Sequence, residues 1–367
     1  MTTLSLNQDL TAKLTKFGQA LVNQEQARVI VPPQQNSTGF WFGGGNMIES
    51  VNRDLYVVGR YRNFGDSRTG IGSGERGLEL AIFKSEDQGE TFNKVASWSK
   101  SDLDVEGCPV LSIEGSAIRW TDDGVELYVS TEKDNVGYPA GFEDYLKPGT
   151  GVWTIDRLQA KNIEALPGSP VKPFCSNNEP NHLHLKDPFV YEGQEDDAIV
   201  FFCTHPFSWS SSNTGFIDSN LQDDGVFGFF PRGESWDVAM TRGTCLVDVP
   251  MVGAFEEIDA TLVFYDGGEC VRDLEQHKTA VTRPRGYSCE ELGGLAYFVE
   301  GDISQINRIS KYAPLFVSPH GTGCSRYVDI LTTGEGLYAT WQQGQADGSQ
   351  PLVMNFLSNS EIENILS

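Results

Sequence analysis

The sequence has few basic residues and no long apolar run. Its 27 lysine and arginine residues stand against 51 acidic residues, which gives a formal charge of -24. So acidic a chain is not expected to bind nucleic acid or an anionic membrane as its general partner. No apolar stretch reaches about 18 residues, so no membrane span is predicted. The chain does not begin like a secretion signal, and a cytoplasmic location is expected, or a secreted or periplasmic one if a signal was removed.

Metal and cofactor motifs are also lacking. The seven cysteines are scattered without a Cys-x-x-Cys pair, so neither a zinc knuckle nor a complete disulfide framework is predicted. His182 and His184 lie close together but lack a third ligand, and we expect no metal site. There is no Gly-x-Gly-x-x-Gly fingerprint after a strand and no P-loop, so no cofactor is expected.

The regular patterns that are present indicate a β protein with one helix. Residues 5–24 predict an N-terminal helix, because apolar side chains line one face at Leu10, Leu14, Phe17 and Leu21. From Phe40 onward the helical periodicity disappears. Short β-type runs separated by Gly, Asp, Asn and Pro take its place.

The β-type runs fall into five groups that recur about every sixty residues, which is typical of a propeller. We therefore predict an all-β fold, a five-bladed β-propeller with an N-terminal helix. Residues 1–26 form the helical extension and residues 27–367 a single propeller domain. A strand at 27–31 is expected to close the ring by pairing with the last strand. A sandwich with long insertions is the alternative.

The strands at 163–166 are assigned to the second group, those at 236–242 and 245–249 to the third, and that at 313–317 to the fourth. The segment from Ser85 to Phe92 matches the Asp-box pattern Ser-x-Asp-x-Gly-x-Thr-aromatic. In that pattern the Asp side chain and the Gly tighten a hairpin between outer strands. It supports a propeller and has no catalytic meaning.

Carboxylates stand ahead of three apolar runs. Asp187 opens a short strand in which Pro188 has no N–H to donate, Glu114 precedes Gly-Ser-Ala, and Glu290 with Glu291 precedes a third run. Heads of innermost propeller strands meet at the axis, so these side chains are expected to share one pocket. Hydrolysis of a glycosidic bond needs one protonated and one ionised carboxyl group. We therefore take Asp187, Glu290, Glu291 and Glu114 as catalytic candidates.

These residues carry a resemblance to a known superfamily. The chain resembles the five-bladed glycoside hydrolases of the β-fructofuranosidase and α-L-arabinofuranosidase type over residues 40–360, through Gly115-Ser116-Ala117, Lys186-Asp187-Pro188 and Cys289-Glu290-Glu291. The resemblance implies that Asp187 orients the sugar and stabilises the transition state. It implies that Glu290 or Glu291 is the general acid, whose pKa should be raised by burial and a neighbouring carboxylate.

The chain departs from this superfamily in the first blade. Family members place an essential Asp at the head of the inner strand there, whereas this chain has Gly43-Gly44-Gly45-Asn46. Glu49, Asp66 or Glu114 would have to replace it. Lys186 also replaces the usual Arg, which removes a planar fork that binds two oxygens.

Several other side chains are candidates for binding the sugar. Arginines cluster in the first blade and just before Glu290, and forked donors suit a carboxylate or sulfate, so an acidic sugar is one possible substrate. The alternative for the arginines is pairing with acidic residues at the surface. The alternative for the histidine and tryptophan candidates is a structural role. The substrate-binding candidates are Arg60, Arg285, His205, His320 and Trp41.

The sequence therefore predicts a glycoside hydrolase, exo-acting on an oligo- or polysaccharide, with a carbohydrate as its partner. A sialidase-like hydrolase is one alternative, and needs three arginines converging on one carboxylate and a Tyr nucleophile. A lyase of acidic sugars is another. A non-catalytic carbohydrate-binding propeller is the third, suggested by the missing Asp of the first blade. The sequence indicates no oligomeric state.

Overall fold

The computed structural model describes residues 5–63, 75–105, 107–192, 198–221, 225–269 and 291–367, with backbone alone at 75 and 76. Its strands form five antiparallel sheets that follow one another along the chain. The innermost strands of successive sheets contact each other around a common axis, and the last contacts the first. This is a five-bladed propeller with an N-terminal helix, which confirms the predicted fold.

In each of the first three blades, the strands are named in order from the axis outward. Blade one has a split inner strand and comprises β2 (Trp41–Gly43), β3 (Met47–Glu49), β4 (Leu55–Asn63), β5 (Glu75–Ser85) and β6 (Asn93–Ser99). Blade two comprises β7 (Val110–Thr121), β8 (Gly124–Lys133), β9 (Val152–Ala160) and β10 (Lys172–Cys175). Blade three comprises β11 (His184–Glu192), β12 (Ala198–His205) and β13 (Asn213–Asp218).

The last two blades complete the ring. Blade four comprises β14 (Met240–Asp248), β15 (Ala260–Gly268), β16 (Leu292–Val299) and β17 (Asn307–Arg308). Blade five comprises β18 (Ser325–Thr332), β19 (Gly336–Gln343), β20 (Leu352–Ser358) and, on its outer edge, β1 (Arg28–Val31). β1 pairs antiparallel with β20, with Arg28 opposite Met354. The predicted closure of the ring by the N-terminal strand is thus confirmed.

Two helices pack beside blades four and five. Helix α1 (Gln8–Leu21) is capped by the Asn7 side chain, and Leu14, Phe17 and Leu21 are fully buried in the core of these blades. The sequence analysis did not anticipate α2 (Asn359–Leu366), which begins with a capping box formed by Ser358 and Glu361. No helix in the described ranges is long and apolar enough to cross a membrane.

The Asp box is formed as predicted. The Asp87 carboxylate accepts hydrogen bonds from the Thr91 N–H at 2.9 Å and the Thr91 hydroxyl at 2.6 Å, while the Gly89 N–H donates to Ser85 Oγ at 2.8 Å. Gly89 has φ +88°, a backbone conformation that glycine adopts without strain. The motif joins β5 to β6 and touches no carboxylate of the axis.

Three strand assignments are wrong. Residues 163–166 lie in a 3₁₀ helix that spans Ile163–Gly168, and the Asn162 side chain caps its start by accepting a hydrogen bond from the Ala165 N–H at 2.9 Å. Residues 240–248 form one continuous strand, the inner strand of blade four and not part of blade three. Residues 313–317 contribute only an isolated bridge, between Phe316 and Gly293. The second of these errors placed the boundary between blades three and four incorrectly.

The inner strands share an irregularity at the same level along the axis. The pairing register shifts between Ile113 and Ser116 in β7, between Lys186 and Phe189 in β11, between Gly243 and Cys245 in β14, and between Arg326 and Asp329 in β18. Such bulges turn a side chain out of its regular alternation. Here they direct polar groups toward the axis.

The seam between blades five and one contains a carboxyl group with a raised pKa. Asp329 on β18 accepts the Met47 N–H of β3 at 2.8 Å through Oδ2. Desolvation of this carboxyl raises its pKa to about 7, although the hydrogen bond from Met47 acts in the opposite direction. In an unfolded chain an Asp titrates near pH 3.9. The contribution of Asp329 to wild-type stability should therefore fall as the pH rises from about 4 to 7.

We predict that Asp329→Asn becomes progressively more stable than the wild type over that pH range. Asn keeps an oxygen acceptor for the Met47 N–H and carries no charge to desolvate. Urea unfolding at pH 4.5 and pH 8 measures the effect, and the difference in unfolding free energy between variant and wild type should be larger at pH 8. An equal difference at both pH values would show that the Asp329 pKa is not raised by folding.

Candidate active site

Charged side chains from all five blades meet at the level where the inner strands bulge. We call this group the axial cluster. It contains the cations Arg60, Arg62, Lys186, Arg242 and Arg326, the carboxylates Glu114, Asp187, Asp266 and Glu291, and the ring of Tyr327.

Arg242 on β14 connects three of the carboxylates. Its Nη1 donates to Asp187 Oδ2 at 3.1 Å, and its Nη2 donates to Asp266 Oδ2 at 2.6 Å and to Glu291 Oε2 at 2.7 Å. Its Cζ also lies 4.2 Å from the centroid of the Tyr327 ring. Because one planar guanidinium bonds both groups, the bonded oxygens of Asp187 and Glu291 are within about 8 Å of each other. The structure thus brings two sequence-predicted carboxylates together.

Asp187 is held in an unusual backbone conformation. Its φ is +51°, which few non-glycine residues adopt. Its N–H donates to Ser130 Oγ at 3.1 Å, and its Oδ1 accepts the Gly115 N–H at 3.0 Å. Asp187 was expected at the head of its strand, but β11 begins three residues earlier at His184. The bulge, not the strand end, carries the carboxylate to the axis.

Glu114 on β7 is surrounded by cations. Arg60 donates to Glu114 Oε2 from Nε at 3.0 Å and from Nη2 at 2.5 Å. Arg62 Nη1 and Lys186 Nζ lie 3.6 and 3.7 Å from Glu114 Oε1. Burial opposes ionisation of Glu114, but Lys186, Arg60 and Arg62 together outweigh it and hold its pKa well below the ordinary value. Glu114 is therefore an ionised anchor for these cations.

Glu291 and Asp266 have opposite pKa shifts although both bond Arg242. Burial opposes ionisation of Glu291, yet Arg242 and Arg326 together lower its pKa. Burial raises the pKa of Asp266 to about 6, against the attraction of Arg242 and with the repulsion of Glu291. The expectation of a raised pKa is thus wrong for Glu291, since two guanidinium groups hold its carboxylate. The side chain of Glu291 is 20% exposed and that of Asp266 is fully buried.

Blade one contributes cations to the cluster in place of the missing Asp. A Cβ at Gly44 would lie 3.0 Å from Arg60 Nη1, so the guanidinium covers this glycine. The Asn46 side chain instead bonds the backbone of Ile118 in blade two, through its Nδ2 at 2.9 Å and its Oδ1 at 2.8 Å. Of the proposed substitutes, Glu49 pairs with Arg53 at 3.7 Å and Asp66 lies outside the described residues.

The structure places some of the predicted binding residues at the axial cluster and others away from it. Trp41 lies at the cluster, with Arg62 and Arg326 over its ring at 4.8 and 4.5 Å. His205 lies behind Lys186 and bonds the Ser211 carbonyl through Nδ1 at 3.0 Å, and burial with nearby Lys186 and Arg242 lowers its pKa to about 3. His320 is exposed in a turn, where its N–H donates to Ser318 Oγ. Arg285 and Glu290 lie outside the described residues.

Four members of the cluster were not predicted: Arg242, Asp266, Arg326 and Tyr327. Arg242 and Arg326 lie near the starts of inner strands, as Asp187 was expected to, but the rule that selected Asp187 considered only carboxylates. Tyr327 follows Arg326 at the bulge with φ +54°. Asp266 lies on the second strand of blade four, and no pattern in the sequence indicates that it reaches the axis.

A small cavity lies beneath the carboxylates. It has a volume of about 20 Å³ and is lined by residues that include Gly44, Ser116, Asp187 and Tyr327. This volume is enough for one water molecule. Within the described residues, no group of three His, Cys, Asp or Glu side chains is placed to hold a metal ion.

Gly115 is needed for the close approach of blades two and three. A Cβ at this position would lie 2.6 Å from both Cα and Oδ1 of Asp187. We predict that Gly115→Ala lowers the unfolding free energy by about 1–3 kcal/mol, because the backbone of Asp187 must shift.

Gly137→Ala is the matched control, since a Cβ at Gly137 meets no atom within 4 Å. It should change the unfolding free energy by no more than about 1 kcal/mol. Urea unfolding of both variants measures the difference. Equal free energies for the two variants would contradict the tight contact between Gly115 and Asp187.

Comparisons with known proteins identify similar solved structures but no related sequence. A glycoside hydrolase superposes with a TM-score of 0.59 at 11% identity, covering 96% of both chains. An α-L-arabinofuranosidase from Lactobacillus brevis gives 0.53 at 8% identity, over 89% of this chain and 92% of that one. A β-1,2-mannobiose phosphorylase from Listeria innocua gives 0.53 at 12% identity, over 93% of each chain. No protein-family model and no curated protein matches the sequence. These similarities show the five-bladed propeller fold.

Proposed function

We propose that this protein is a glycoside hydrolase whose reaction takes place at the axial cluster. The observation that carries the proposal is the meeting of Asp187 and Glu291 on the single guanidinium of Arg242. Their oxygens lie within the separation of about 5–10 Å that glycoside hydrolases use. The similar solved structures include a glycoside hydrolase, an arabinofuranosidase and a mannobiose phosphorylase, all proteins that act on glycosides.

The charges of the cluster assign roles to its members. Glu291 is ionised because Arg242 and Arg326 lower its pKa, and its partly exposed carboxylate suits a base or a nucleophile. Asp187 stabilises positive charge at the anomeric carbon in the transition state. Asp266 is fully buried, so it acts on the reaction only by positioning Arg242. The resemblance to known glycoside hydrolases leaves Glu290, which lies outside the described residues, as the candidate for the general acid.

Two alternatives are less well supported. The arginines face inward, as a sialidase-like site requires, and Tyr327 lies among Arg60, Arg242 and Arg326. However, burial raises the pKa of the Tyr327 hydroxyl, which opposes its use as a nucleophile, and the protein's own carboxylates already occupy these arginines. A non-catalytic propeller should lack two carboxyl groups within about 10 Å, and this site has them.

We predict that Asp187→Asn and Glu291→Gln each lower kcat/KM by a factor of about 10²–10⁴. The measurement is hydrolysis of a panel of 4-nitrophenyl arabinofuranosides, xylosides, mannosides and glucuronides. Glu290→Gln should lose much less activity on these substrates than on alkyl glycosides, since nitrophenolate leaves without protonation.

Glu335→Gln is the control, because Glu335 is an exposed carboxylate that pairs with surface Arg53 at 3.2 Å. Its kcat/KM should equal that of the wild type. Wild-type rates for both Asp187→Asn and Glu291→Gln, on any substrate that the protein hydrolyses, would exclude the axial cluster as the catalytic site.

A further inference from the structure

Arg62 is a buried cation whose hydrogen-bonding capacity is largely unused. It lies on β4 and is only 4% exposed. Its Nε and Nη2 atoms are buried without a hydrogen-bond partner among the residues that the structure describes. A guanidinium group has five N–H donors, and buried polar atoms in folded proteins nearly always have partners. Arg62 therefore has buried N–H donors that no acceptor among the described residues engages.

The groups around Arg62 hold its side chain in place, but none of the described residues accepts a hydrogen bond from its Nε or Nη2. Its Cζ lies 4.8 Å from the centroid of the Trp41 ring, and Arg326 lies over the same ring. Its Nη1 is 3.6 Å from Glu114 Oε1, which is longer than a hydrogen bond. Glu114 Oε2, in contrast, is fully engaged by Arg60. The carboxylate of Glu114 thus attracts Arg62 but leaves its donors available.

Lys186 completes the arrangement from blade three. Its Nζ lies 3.7 Å from the same atom, Glu114 Oε1, and 4.7 Å from the centroid of the Trp153 ring. Its side chain is 14% exposed, so this cation reaches the open part of the site. Because both nitrogens lie close to one oxygen, Arg62 Nη1 and Lys186 Nζ are within about 7 Å of each other. Two hydrogen bonds of about 2.9 Å to a carboxylate or phosphate bridge such a span.

We propose that Arg62 and Lys186 bind an oxyanion of the ligand, either the carboxylate of an acidic sugar or a phosphate group. The proposal rests on the proposed function in taking the axial cluster as the place where the ligand binds. Glu114 keeps the two cations together while the site is empty. An oxyanion placed between them supplies acceptors for the Arg62 donors that have none among the described residues, and charge-assisted bonds of this kind are the strongest available to Arg62.

The experiment is calorimetric titration of the full-length protein with sodium glucuronate, inorganic phosphate and, as the neutral probe, glucose. We expect saturable binding of at least one of the two anions by the wild type. Arg62→Met should weaken that binding at least tenfold. Arg62→Lys should bind with an affinity between those of the wild type and Arg62→Met, because an ammonium group cannot present two parallel donors. Arg53→Met, which removes an exposed arginine, is the matched control and should bind like the wild type.

The probes distinguish the two sources of the anion. Preference for glucuronate identifies a substrate carboxylate, and preference for phosphate identifies a phosphate group. Binding of neither anion by the wild type, or unchanged affinity in Arg62→Met, overturns the inference. If Arg62→Met does not fold, Lys186→Met replaces it with the same expected loss and the same contradicting result.

The titration requires no turnover, so its outcome is separate from that of the hydrolase assay. A protein that hydrolyses neutral glycosides and binds neither anion contradicts this inference alone. A protein that binds glucuronate through Arg62 and hydrolyses no glycoside contradicts the proposed function alone.

Discussion

The guanidinium group of Arg242 is the interaction on which the site depends. It bonds Asp187 from blade three, Asp266 from blade four, and Glu291 from the segment before β16. Three carboxylates so close together would repel one another and could not all ionise in a buried place. Arg242, helped by Arg326, lowers the pKa of Glu291 and so keeps this carboxylate ionised at the axis. The third carboxylate, Asp266, has a raised pKa, because burial and the repulsion of Glu291 oppose its ionisation.

This charge arrangement is possible because the backbone is irregular at one level of the propeller. A regular β-strand sends alternate side chains to its two faces, and none along the axis. The bulges in the inner strands break that alternation at Glu114, Asp187 and Tyr327, and in β14 just after Arg242. Gly115 permits the closest of the resulting contacts, since any side chain there would overlap Asp187. Fold and site are thus linked through a few backbone positions.

Features that depend on local sequence could be predicted. The Asp box, the N-terminal helix, the closing strand and the blade repeat follow from residue patterns within short segments, and the structure confirms them. Asp187 and Glu114 were found because an acidic residue beside Pro or Gly interrupts an apolar run. Arg242 was missed because only carboxylates were considered at the starts of inner strands, and because its strand was assigned to blade three.

Features that depend on distances between blades could not be predicted. The low pKa of Glu291 results from two arginines that lie 49 and 35 positions away in the chain. Asp266 reaches the cluster from the second strand of blade four, where alternation alone would make it an ordinary buried position. The ion pair between Arg60 of blade one and Glu114 of blade two likewise becomes visible only once these two blades are packed together.

The most direct test of this account is the unfolding free energy of Arg242→Met as a function of pH. Removing one partner of a buried ion pair leaves uncompensated charge and costs roughly 3–5 kcal/mol. We expect a loss of that size at pH 7, shrinking toward pH 4 as the abandoned carboxylates take up protons. Arg53→Met, at an exposed pair, should lose no more than about 1 kcal/mol. A loss for Arg242→Met that is equally small and independent of pH would contradict the claim that Arg242 holds the ionised carboxylates together.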